Sequence, residues 1–206
     1  MPSRLSPERE AKFLDGVRSS GEFLMGKGDV QLALDKIVKR LQEAEIPYAI
    51  VGAMALNEYG YRRVTVDVDV LLTREGLQEF KKRWLGRGYV EKFPGSRSMR
   101  DTENGVDVDI VVAGDYPGDG KPKPVRFPDP QTIAQAGPRA SLLPLETAIE
   151  LKLASGISAP HRLRDLADVL ELIRVCNLPV DFAERLDESV REKFRELWDA
   201  AASARD

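Results

Sequence analysis

Two β-branched runs with aspartates set inside them constrain this chain more than any other feature: "VTVDVDVLL" at 64–72 and "VDVDIVV" at 106–112. Aspartate is depleted in strands because its short polar side chain competes for backbone hydrogen bonds. The surrounding valines, isoleucine and leucines nevertheless demand extended backbone. Strand side chains alternate between faces, so Asp67 and Asp69 point the same way, with Cα atoms roughly 7 Å apart. Asp107 and Asp109 share a face for the same reason, and a paired neighbouring strand lies only about 5 Å away. Carboxylates gathered on one sheet face repel one another and are costly to desolvate. A divalent cation removes that cost. Oxygen donors without a nearby His or Cys favour Mg²⁺ or Mn²⁺ over zinc. The alternative is two amphipathic strands with their aspartates in water, which would account for one run more readily than for two.

Other residues fall around this pattern. "IPYAIVG" reads as a strand ending at Gly52, and "AMALNEYG" as a short helix closed by Gly60. A glycine turn followed by a small residue, Gly52-Ala53, lets a phosphate approach the backbone and the helix N–H groups closely. "GDGKPKP" has the wrong glycine spacing for a Walker A loop, and no Ser or Thr follows its lysine. It reads as a flexible rim from which Lys121 or Lys123 could touch substrate. Lys152 falls inside the apolar arc of its helix, between Ala148 and Ile149, so it either snorkels outward or meets an anion. Asp165, at the edge of the next helix's apolar face, could orient Lys152. Asp168 lies one turn on, toward the polar side, and reads more readily as a solvated position.

The inventory excludes several chemistries. One cysteine (Cys176) and one histidine (His161) allow neither an intrachain disulfide nor a multi-Cys/His zinc site. A Ser-His-Asp triad would have to use His161, which stands at a helix start in "SAPHRLRD". A net charge of −3 argues against a surface dominated by nucleic-acid attraction, although local clusters such as Arg62-Arg63 and Arg162 with Arg164 remain. The N-terminal stretch has no signal-peptide core and no apolar run reaches membrane-spanning length, so the expectation is a cytoplasmic protein without membrane association.

The expected fold class is α+β: a small mixed β-sheet flanked by helices, followed by a C-terminal helical portion. Ser6-Pro7-Glu8 opens a helix to about Ser19, within an N-terminal helical extension over 1–28. The core spans 29–139. It begins with a helix capped by Asp29 and includes a helix from Thr73 to about Gly86. Antiparallel strands follow, turning near Pro94-Gly95 and Asn104-Gly105. A Pro/Gly-rich loop over 115–130 closes the core. Residues 140–206 form the helical portion, ending in a pair of helices from Val180 to about Ala202 with Val190, Phe194, Leu197 and Ala201 as the buried stripe. This portion is expected to pack as one unit with the core.

"IVGAMALNEYGYRRVTVDVDVLL" resembles the opening motif of the nucleotidyltransferase superfamily with the DNA polymerase beta fold, a glycine turn and helix followed by a D-x-D strand. It looks nearest to the AbiEii-like, or MNT-like, toxin-type nucleotidyltransferases. Their glycine turn, R-x-T and D-x-D match Gly52, Arg63-Val64-Thr65 and Asp67-Val68-Asp69. The third family carboxylate matches Asp109 better than Asp107. The later lysine and RDLxD helix look like Lys152 and Arg164-Asp165-Leu166-Ala167-Asp168. One departure is Ala53, where the family usually carries Gly or Ser. The resemblance implies a Mg²⁺- or Mn²⁺-dependent transferase that moves a nucleoside monophosphate from an NTP to an acceptor hydroxyl. Asp67, Asp69 and Asp109 would hold metal, and Lys152 would act in catalysis. Gly52, Ala53, Arg63, Thr65 and Asp165 would serve the nucleotide. Toxin-type relatives imply an RNA acceptor, such as a tRNA 3′ end, and an antitoxin partner. A catalytically silent nucleotide- or RNA-binding module of the same fold is the other reading.

Overall fold

The computed structural model describes residues 28–203. The helix expected at Ser6–Ser19 lies outside them. The first described helix, α1, spans Asp29–Glu43 and buries Ala33, Ile37 and Leu41 completely, the period-3.6 stripe its sequence carries. Asp29 is its first residue rather than its cap, which is Gly28. Strand β1 (Tyr48–Ile50) leads through Val51 into α2 (Gly52–Glu58). Then come β2 (Asp67–Leu72) and α3 (Arg74–Trp84), whose cap Thr73 accepts a hydrogen bond from the Gly76 amide at 3.0 Å. Three strands follow, β3 (Tyr89–Glu91), β4 (Met99–Asp101) and β5 (Val106–Val112). Beyond the irregular loop lie a single turn α4 (Pro130–Ile133) and the short strands β6 (Gln135–Ala136) and β7 (Ser141–Leu142). The chain continues through α5 (Leu145–Ser158), α6 (Leu163–Val175) and α7 (Glu188–Ser203). The segment Val180–Arg185, expected as the first of a final helix pair, is a 3₁₀ helix.

The seven strands form one mixed sheet in the order β3-β4-β5-β2-β1-β7-β6. At its centre β2 and β5 run parallel, with Asp67 opposite Asp107 and Asp69 opposite Asp109. Alternation then assigns the faces. Val68, Val70 and Leu72, with Val106, Val108, Ile110 and Val112, face α1 and α3 in one core with Ile37, Leu41, Phe80 and Tyr89. Leu71 and Val111 face the other way, toward a second core of Ile149 and Leu153 from α5, Val169 and Leu172 from α6, and Phe194 from α7. Phe194 stacks on Phe182 with ring centroids 5.6 Å apart. Leu197 is only partly buried, so the stripe on α7 is Val190, Phe194 and Ala201. The four aspartates share the second face, by the alternation of β2 and β5. The strand β7, within the expected helical portion, pairs with β1, so the sheet and the helices interleave along the chain. No described helix is long and apolar enough to cross a membrane.

Candidate active site

A cavity of about 620 Å³ lies over the aspartate-bearing face. Gly52, Ala53, Asp67, Asp69 and Asp109 line its sheet side. Gly52 takes φ +61°, and a Cβ built there would fall inside the Asp69 carboxylate. The strand-to-helix turn therefore presses directly against the D-x-D strand. Thr65 donates its hydroxyl hydrogen to Asp67 Oδ1 at 2.5 Å, which orients that carboxylate. Burial pushes the Asp69 carboxyl up to about 6, and the charges of Asp67 and Asp109 push in the same direction. Lys152 and Arg63 pull it back less strongly. The acids thus feel one another, as expected of carboxylates converging on one space.

The opposite wall is basic, and it is organised by two buried acids. Lys152 meets an anion rather than snorkelling: its Nζ lies 3.0 Å from Asp165 Oδ1 and 2.7 Å from Asp168 Oδ2. Asp168 also takes Arg63 Nη1 at 2.6 Å. Only 1% of Asp168 is exposed, which corrects its reading as a solvated position. Asp168 can be buried because two cations from outside α6 meet its carboxylate. Asp165 further accepts from Ser155 Oγ at 2.6 Å and Arg162 Nε at 2.8 Å. Burial alone would raise the Asp165 carboxyl, but Lys152, Ser155 and Arg162 together hold it below its usual value. Arg63 is set in place by Asn57, which accepts its amide hydrogen at 2.7 Å and donates to its carbonyl at 2.8 Å. His161, Arg162 and Arg164 complete the basic side of the lining.

The Pro/Gly-rich loop forms a third wall through Tyr116, Pro117, Gly118 and Phe127. It is pinned rather than a flexible rim. Gly114 N donates to Phe127 O at 2.8 Å and Phe127 N to Asp115 O at 2.9 Å, closing the neck of the loop. Lys123 donates to Pro117 O at 2.6 Å and Ser158 Oγ at 3.0 Å, so it fastens the loop to α5 and does not line the cavity. Lys121 is exposed and also outside the lining. Asp107 is outside the cavity lining, paired with Lys92 at 3.1 Å and Arg100 at 3.0 Å.

Of the residues singled out from the sequence, Gly52, Ala53, Arg63, Thr65, Asp67, Asp69, Asp109, Lys152 and Asp165 line this cavity, whereas Asp107, Lys121, Lys123 and Asp168 do not. Asn57, Ser155 and the aromatic residues Tyr116 and Phe127 escaped sequence reasoning. A lone polar residue in the apolar "AMALNEYG" helix was the available signal for Asn57; the others carry none.

No family model and no curated protein matches this chain. Solved structures are similar to it at low identity. The antibiotic-resistance factor ANT(2″)-Ia, in complex with adenylyl-2″-tobramycin, is 18% identical, with 85% of this chain and 98% of that chain covered and a TM-score of 0.48. A Thermotoga maritima protein provisionally described as a nucleotidyltransferase is 19% identical, covering 68% and 91%, with a TM-score of 0.47. JHP933 from Helicobacter pylori is 18% identical, covering 84% and 89%, with a TM-score of 0.46.

The donor chemistry decides whether a divalent cation fits. Among the described residues, no three His, Cys, Asp or Glu side chains form a ready-made metal group. Asp67, Asp69 and Asp109 nevertheless share one cavity. An incomplete carboxylate set of this kind suits Mg²⁺, which takes one or two carboxylates and completes its shell with water and substrate phosphates.

Proposed function

We propose that this protein is a divalent-metal-dependent nucleotidyltransferase, moving a nucleoside monophosphate from an NTP to an acceptor hydroxyl. The supporting observation is the parallel register that sets Asp67 and Asp69 beside Asp107 and Asp109, with Asp67, Asp69 and Asp109 facing a basic wall across one cavity. Asp67, fixed by Thr65, and Asp69 would hold Mg²⁺ or Mn²⁺, with Asp109 beside them. When bound, the ion neutralises charge on the triphosphate and aligns it for in-line displacement. Gly52 and Ala53 leave room for phosphate oxygens against the backbone. Lys152 and Arg63, held by Asp168, stand ready to compensate the charge that builds on the phosphates. Asp109 takes the acceptor hydroxyl proton as the new O–P bond forms at the α-phosphorus and the bond to the pyrophosphate oxygen breaks. Water is partly excluded by Tyr116 and Phe127.

The toxin-type resemblance adds an RNA acceptor, a tRNA 3′ end first among them, together with an antitoxin partner. The test is label transfer from each α-labelled NTP to cell RNA and to cell protein with Mg²⁺, comparing wild type with Asp69→Asn. Transfer abolished in the variant is the expected result; equal transfer by both removes the assignment. Ala53, buried in the cavity wall without a side-chain donor, favours the second reading, a silent nucleotide-binding module. Metal-independent binding of a non-hydrolysable NTP, without turnover, would select it.

A further inference from the structure

Lys92 has no part in the reading above, yet it reaches the third carboxylate of the site. It follows β3 directly, and its amide donates to Ser98 O at 3.2 Å, which holds it at the neck of the β3–β4 turn. That turn is braced by Lys81, which bonds Glu91 and Ser96 O at 2.6 Å each. From this edge the Lys92 side chain reaches β5, placing Nζ 3.1 Å from Asp107 Oδ2 and 3.5 Å from Asp109 Oδ1. Asp107 is itself held by Arg100 from β4, the strand between. Asp107 therefore serves as an anchor that fixes the ammonium against Asp109. The contact with Asp109 is an ion pair without hydrogen-bond geometry, since Asp109 Oδ1 is buried and accepts no hydrogen bond.

Two-metal phosphoryl-transfer sites set two cations about 3.5–4 Å apart, so that both the attacking and the leaving oxygens are neutralised. Here one of the three cavity carboxylates already has a cation of the protein's own. We propose that Lys92 is a tethered stand-in for the second divalent ion, so that the loaded site holds a single ion, on Asp67 and Asp69. The proposal rests on the metal reading of those two residues. An ammonium at Asp109 repels an arriving divalent ion and leaves the carboxylate as the proton acceptor for the incoming hydroxyl.

Mn²⁺ titration followed by electron paramagnetic resonance, with equimolar non-hydrolysable ATP analogue, counts the ions directly. The expected result is one Mn²⁺ per protein–nucleotide complex for wild type and two for Lys92→Met. Lys92→Arg, which keeps the charge, should return the count to one, an outcome that a packing role for the side chain would not produce. Two ions in wild type overturn the proposal, as does a single ion in Lys92→Met. The spectrum of Mn²⁺ with nucleotide alone, run beside Asp69→Asn, separates the two levels of inference. If wild type and Asp69→Asn both match that spectrum, the metal reading itself has failed.

Discussion

Gly52 satisfies two requirements that no other residue type meets together. Its φ of +61° lies in the left-handed region, and the space beside its Cα is filled by the Asp69 carboxylate. Gly52→Ala should cost about 1–2 kcal/mol from the backbone alone, read as a lower urea midpoint. The new methyl group also displaces Asp69, and a misplacement of about 1 Å in a reacting group costs on the order of 100-fold in rate. On the proposed function, nucleotidyl transfer by Gly52→Ala should fall accordingly; a variant with wild-type stability and transfer would contradict the close approach. The same scale explains why Asp168 is tolerated in a buried position. A lone buried carboxylate is expensive, but here Arg63 and Lys152 both converge on its Oδ2.

At the scale of elements, the pairing of β2 with β5 brings the acids together, and the β3–β4 edge is locked to α1 by a buried ion pair. Lys36 on α1 lies 2.5 Å from Asp101 Oδ1 on β4, and Asp101 is fully buried. Burial pushes the Asp101 carboxyl up, but hydrogen bonds from Lys36, Asn104 and the Glu103 amide outweigh it and leave it below its usual value. A depressed folded-state value means that this pair stabilises the fold above the unfolded value of about 3.9. That contribution declines as pH falls through and below it. Urea denaturation of wild type and Asp101→Asn should therefore show a constant stability gap between pH 6 and pH 8, narrowing below about pH 4. A gap that widens on acidification would show that the pair does not hold the edge.

At the scale of the whole molecule, two apolar cores meet through the central strands, because alternate residues of β1 and β2 belong to opposite sides. Ile50 and Val70 serve one core, while Ala49 and Leu71 serve the other. The C-terminal helices should therefore unfold together with the sheet. Phe194 on α7 is fully buried and far along the chain from the aspartates. Phe194→Ala should lower stability by about 3–5 kcal/mol, a fall in melting temperature of roughly 6–20 °C for a chain of this size. Calorimetry should show one transition in wild type and variant alike. Separate melting of the helices would mean that the second core is not joined to the first.

The local pattern was enough to recognise the strands around Asp67, Asp69, Asp107 and Asp109, and to put each pair on one face, because period-2 alternation is a property of extended backbone. It also marked the glycine turn and the helices that carry Lys152 and Asp165, since apolar spacing reports which face is buried. Register and partnership were decided only by the fold. Whether Asp69 sits opposite Asp109, whether Asp168 is buried between two cations, and whether Lys92 reaches across to Asp109 all depend on contacts between residues 16 to 105 positions apart. Charges on different elements have no sequence periodicity in common. Only the packed sheet, by bringing those elements within a few ångströms, determines which acid meets which base.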